Sequence, residues 1–156
     1  MAKDLGPAVK FPPPALFVGG LGVGALLDRF GRVPSPIPDH PALQVFGVAL
    51  AVAGLALVYT GILTFRKFRT AIYPNRPAKL VVDHGVYAHT RNPMYVGMTV
   101  FYLGGVLVLH SLGALALLPV VLFVLHAQVI VREERHLHER FPAEYADYCA
   151  RVRRWL

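Results

Sequence analysis

Three short polar patches interrupt a mostly apolar sequence, and their residue types suit the binding of a small charged molecule. The first is Lys79-Leu80-Val81-Val82, followed after Asp83-His84 by Gly85-Val86-Tyr87. The second is Arg91-Asn92-Pro93-Met94-Tyr95-Val96-Gly97, and the third is Arg132-Glu133-Glu134 with Leu137. Backbone amides at a helix start favour an anion. Pro93 fits a first helical turn, so the second patch reads as such a start. Adjacent helical residues point about 100° apart, so only one of Glu133 and Glu134 faces a given pocket. Val129 and Leu137 share the face of Glu133, which makes Glu133 the inward candidate. Taken singly, each patch has a plainer reading. An arginine beside an apolar block anchors headgroups, Tyr87 and Tyr95 fit an interfacial belt, and a Glu-Glu pair after a span is solvated. Convergence of all of them at neighbouring helix ends favours a site.

The elements that must position these patches are long apolar blocks. Hydrophobic residues make up 55% of the 156 residues and charged ones 16%, and the apolar ones run in uncharged stretches, which is a membrane pattern. Phe11 to Leu27 ends at Asp28-Arg29 and contains Gly20 and Gly24, a small-xxx-small pair suited to close helix packing. A proline-rich loop follows, with Pro34, Pro36, Pro38 and Pro41. Pro41 to Phe65 carries no charge and stops at Arg66, Lys67 and Arg69. Met94 to Val131 is uncharged for about 38 residues, near 57 Å if helical, which is too long for one crossing. His110-Ser111-Leu112-Gly113 is its natural break, giving a helical hairpin, and Pro119 is placed to kink the second arm. The expected fold is therefore an all-α membrane bundle of about four spans, at 11–27, 41–65, 94–110 and 112–131, forming one domain over 1–156. Beyond it, Arg132 to Arg140 is a charged extension, and Phe141-Pro142 restarts a helix. There Phe141, Tyr145, Tyr148, Val152 and Trp155 form one apolar face, suited to docking at lipid headgroups.

Charge fixes the expected orientation. The net charge of +7 sits in flanks of apolar blocks, which favours anionic headgroups over nucleic acid. Arg66, Lys67, Arg69, Arg76, Lys79 and Arg91 oppose only Asp83 in the second loop, whereas the hairpin tip has no lysine or arginine. The basic loop, both termini and the segment 132–156 are thus expected on the cytoplasmic face of the cell membrane. Lys3 and Lys10 precede an apolar stretch, but Pro12-Pro13-Pro14 intervenes, so no cleavable leader is expected. Cys149 is the sole cysteine, which excludes an internal disulfide, and no metal site is expected.

Gly85-Val86-Tyr87, Arg91-Asn92-Pro93-Met94-Tyr95-Val96-Gly97, and Glu133-Glu134 with Leu137, Phe141, Tyr145 and Tyr148 together resemble a known superfamily. It is that of the isoprenylcysteine carboxyl and phospholipid methyltransferases, membrane enzymes that use S-adenosylmethionine. The resemblance runs from about Ile72 to Trp155. It implies a cofactor touching Lys79, Leu80, Val81, Val82, Tyr87, Asn92, Pro93, Met94, Tyr95 and Glu133. Two positions depart from the family pattern. Asn92 stands where many members have histidine, and Asn cannot titrate. Val129 stands where isoprenylcysteine enzymes have the arginine associated with the substrate carboxylate. Methyl transfer to a lipophilic or small acceptor other than a prenylcysteine is therefore expected. Arg91 and Arg132 are candidates to hold an anionic acceptor, and His126 is a candidate base for an amine or thiol. Two other readings compete. Sterol reductases share a similar Arg-x-Pro-x-Tyr hairpin and use NADPH but have more spans, and a non-catalytic membrane scaffold could keep the fold.

Overall fold

The computed structural model describes residues 9, 11–31, 35, 37–69 and 78–156. Lys3, Lys10, Pro34, Pro36 and the stretch 70–77, with Ile72 and Arg76, lie outside the described residues. The described chain is all-α. It comprises α1 (Pro13–Gly31), α2 (Pro41–Lys67), a 3-10 turn (Gly85–Ala88), α3 (Pro93–Leu109), α4 (Leu112–Leu125), α5 (Val131–Arg140) and α6 (Pro142–Arg151).

Small residues decide how the helices meet. Gly47, Gly54 and Gly61 recur every seventh residue on α2, and Gly97 and Gly104 do so on α3. A Cβ on Gly54 would lie 2.5 Å from the Gly97 carbonyl oxygen, and one on Gly97 would lie 2.6 Å from that of Gly54. The two backbones are in contact, a packing that lipid-embedded helices use because apolar burial alone does not drive them together. Gly24 on α1 meets the backbone of Ala114 on α4, and Gly20 meets Val121, so the expected small-residue pair does pack closely. Phe17, Tyr102, Val106, Leu125, Val129 and Ile130 are buried between α1, α3 and the last long helix. The Tyr102 hydroxyl donates to the Ala114 carbonyl at 2.7 Å.

The hairpin breaks where the sequence places it. His110 takes a left-handed conformation (φ 49°) that ends α3, and Ser111 caps α4 by accepting from the Ala114 amide. Asp28 is more than a stop signal. Its carboxylate accepts from the Ser111 hydroxyl at 2.5 Å and the Gly113 amide at 2.9 Å, tying the end of α1 to the start of α4. An acidic group there also complements the helix dipole. His110 lies 3.5 Å from Asp39, so the end of α1, the start of α2 and the hairpin tip share one end of the bundle.

At the other end the fourth apolar block runs unbroken through a π turn (His126–Ile130) into α5, so the charged extension expected from Arg132 to Arg140 is helical and continuous with it. The Val131 amide donates to the His126 carbonyl, one residue further back than in an α-helix. This wide turn lets the adjacent Val129 and Ile130 both be buried. Pro119 is accommodated within α4.

Large apolar side chains also line the outside. Val45, Val52 and Tyr59 on α2, Val23 and Leu27 on α1, and Val120 and Phe123 on α4 are all more than half exposed. Patches of this extent need an apolar surrounding. Two helices, Pro41–Lys67 and Leu112–Arg140, are long and apolar enough to cross a membrane by length and composition, and Pro93–Leu109 is a shorter apolar helix.

Candidate functional site

The candidate residues gather where the 3-10 turn, the start of α3, and the start of α5 come together. Gly85 has a φ of +63°, a conformation that favours glycine. The turn it starts carries Tyr87 inward, to 5% exposure. The Tyr87 ring lies 4.9 Å from that of Phe65, and its hydroxyl faces Gly61 beside Met94. That hydroxyl is buried and has no hydrogen-bond partner among the described residues. Burial, and then the charge of Glu133, push the Tyr87 phenol far above its ordinary value, so it stays protonated.

Glu133 looks toward this turn. Its carboxylate accepts from the buried Tyr95 hydroxyl at 2.7 Å, joining α5 to α3. Pro93 starts α3 as expected, and Asn92 precedes it as the cap residue. The Asn92 side chain does not cap the helix; its amide donates to the Arg154 carbonyl at 3.0 Å. Asn92 and Val82 are buried, Leu80, Val81 and Met94 are half-buried, and Lys79 is exposed. Tyr87, Met94, Tyr95 and Glu133 are thus brought together, with Val81 and Asn92 on the side toward the C-terminal segment. An unpartnered buried hydroxyl, a carboxylate held by a phenol, and two aromatic rings fit a ligand that carries an ammonium and a flat base.

Glu134 is not solvated. Both of its oxygens accept from Arg154, at 2.9 and 2.7 Å, and Arg91 lies 3.4 Å away. Arg91 also donates to the Cys149 sulfur at 2.7 Å. The tail closes over the loop through further bonds. The Arg91 amide donates to the Arg153 carbonyl, the Thr90 hydroxyl to the Arg154 carbonyl, and the Tyr148 hydroxyl to the Tyr87 carbonyl. Arg151 donates to Asp83 at 2.9 Å, and this bond holds the Asp83 carboxyl below its usual range. Spacing cannot reveal these contacts, because their partners stand 20 to 68 residues apart. The apolar face of the C-terminal segment is present as expected, but it packs on protein. Tyr145, Tyr148 and Val152 are buried with Val81 and Leu137, which leaves this face unavailable to headgroups.

Arg132 donates to Gln128 at 2.8 Å, Arg91 is engaged as above, and His126 is half-buried within the π turn. Val129 is fully buried in the main core. An open cleft of about 500 Å³ lies between α5 and α6, lined by Arg91, Glu134, Arg135, His138 and Tyr145 among others. It is on the Glu134 side, and neither Glu133 nor Tyr95 lines it.

Known proteins are similar to parts of this sequence. The chain is 34% identical over 73 residues to a protein-S-isoprenylcysteine O-methyltransferase of Schizosaccharomyces pombe, covering 47% of this chain and 31% of that one. It is 32% identical over 120 residues to protein-S-isoprenylcysteine O-methyltransferase B of Arabidopsis thaliana, covering 74% of this chain and 60% of that one. The matched regions thus span about a third and three fifths of those relatives. The family model for phospholipid methyltransferases matches residues 43–144, from the start of α2 through α5 and into α6. With well over half of its length matched in this way, the chain belongs to the phospholipid methyltransferase family.

Proposed function

We propose that this protein is a membrane-embedded methyltransferase that moves a methyl group from S-adenosylmethionine to a lipophilic or small acceptor. The observation that carries the reading is the Glu133 carboxylate bonded to Tyr95 beside the unpartnered buried hydroxyl of Tyr87, in a chain of this family. S-adenosylmethionine supplies a methyl already activated on a sulfonium. The protein's part is to hold donor and acceptor in line, which needs no catalytic triad. Glu133 receives the donor's ammonium, and the Tyr87 and Tyr95 rings pack against its adenine. Lys79, Leu80, Val81, Val82, Asn92, Pro93 and Met94 supply backbone and side-chain edges around it. A carboxylate acceptor needs no base, whereas an amine or thiol must lose a proton, for which His126 is the candidate.

The acceptor reaches the site from the bilayer. Four spans, with both termini and the basic loop on the cytoplasmic side of the cell membrane, agree with the exposed apolar faces of α1, α2 and α4 and with the charge flanks. Purified protein incubated with labelled donor and a lipid extract is expected to yield labelled organic-soluble product. No labelled product, or reduction of the extract by NADPH without the donor, would count against methyl transfer.

A further inference from the structure

We infer that Glu134, Arg91 and Arg154 are positioning residues that hold the C-terminal segment closed over the donor loop and so set donor affinity without touching the donor; this rests on the donor reading above. The C-terminal segment has its own small apolar cluster of Tyr145, Tyr148 and Val152, separate from the main core. Besides Trp155, which packs on the main core, its attachment to the bundle runs through the polar bonds above, and a unit attached in this way opens more easily than the core. The attachment falls on segments proposed to hold the donor. Val81 packs on the cluster, the Tyr87 carbonyl receives Tyr148, and the Asn92 side chain holds the Arg154 carbonyl.

The latch itself is a three-way junction. Glu134 on α5 takes two bonds from Arg154 of the tail, and Arg91 of the loop reaches both Glu134 and Cys149 of α6. The Glu134 and Arg91 side chains are only 18% and 15% exposed, so solvent screens the pair little. Charge-assisted, two-pronged bonds of this kind fix geometry as well as energy. Glu134 holds the tail, the tail holds the Tyr87 and Asn92 segments, and those segments receive the donor. The adjacent Glu133 faces the donor directly.

The test uses the full chain in lipid nanodiscs, with S-adenosylmethionine as the probe and no acceptor. Dissociation constants are measured by calorimetry, and amide hydrogen exchange is followed over 84–92 and 152–156 in the absence of donor. Arg154→Ala is expected to weaken donor binding by at least about tenfold and to speed exchange in both segments, while α2 and α3 exchange as before. Arg154→Lys should recover part of both effects. Glu134→Gln combined with Arg154→Ala should be no worse than the poorer single variant, since both remove one junction. Unchanged exchange in Arg154→Ala overturns the latch, and faster exchange with unchanged donor affinity overturns its positioning role. If the unaltered protein binds no donor, the donor reading fails and takes the positioning role with it, while the exchange data still decide whether the tail is latched to the loop.

Discussion

Glu133 and Glu134 are neighbours in sequence, yet their carboxylates meet different partners, Tyr95 and Arg154, on different faces of α5. The angular step between helical residues makes that divergence legible in the sequence, and Glu133 is the one that meets the bundle. The partner of Glu134 is not legible there, because Arg154 lies 20 residues away beyond a helix break. Val129 has a consequence for specificity. The position that holds arginine in the isoprenylcysteine pattern is here a valine with no exposed surface. An acceptor carboxylate buried nearby without a partner would be strongly disfavoured. Arg132, bonded to Gln128 on the outer side, is the nearest substitute in sequence. A farnesylcysteine analogue is therefore expected to give no more than background methylation. Robust turnover, abolished by Arg132→Ala but not by Val129→Ala, would show that the arginine's role had moved three residues along the helix.

The glycines of α2 and α3 govern packing at the scale of elements. Their seven-residue spacing is present in the sequence, and the pairing it encodes appears once the two helices are set side by side. Gly54→Val would drive a side chain into the Gly97 carbonyl, at the 2.5 Å approach already noted. Overpacking of this kind costs about 1–3 kcal/mol or more, so thermal unfolding in detergent should shift clearly downward. Gly22→Ala has open space around it and should leave that transition in place; equal losses for both would contradict the packing account. The π turn is less legible. Nothing in His126 to Ile130 announces a wide turn, since its cause is tertiary: Val129 and Ile130 are both drawn into the core. The apolar periodicity of α6 is plain in the sequence, but the surface that it covers is not. Val81 and Leu137 take the place that a headgroup layer would have filled.

At the scale of the whole molecule, the bundle has two unlike ends. One joins Asp28, Ser111 and Gly113, and the other gathers the loop, α5 and the tail. The proposed orientation rests on charge. Cysteines introduced at Lys79 and Arg153 into a Cys149→Ser background should react with a membrane-impermeant reagent from the same side, and one at Asp39 from the other. Labelling of Lys79 and Arg153 from opposite sides would break both the topology and the site. The central claim is that the end carrying Glu133 binds S-adenosylmethionine. Equilibrium binding of the labelled donor to detergent-purified protein, challenged with excess NADPH, tests it most directly. Saturable binding unaffected by NADPH is predicted, weakened about ten- to a hundredfold in Glu133→Gln, as loss of a charged hydrogen-bonding partner implies. Binding that NADPH displaces, or that Glu133→Gln leaves intact, would contradict the account.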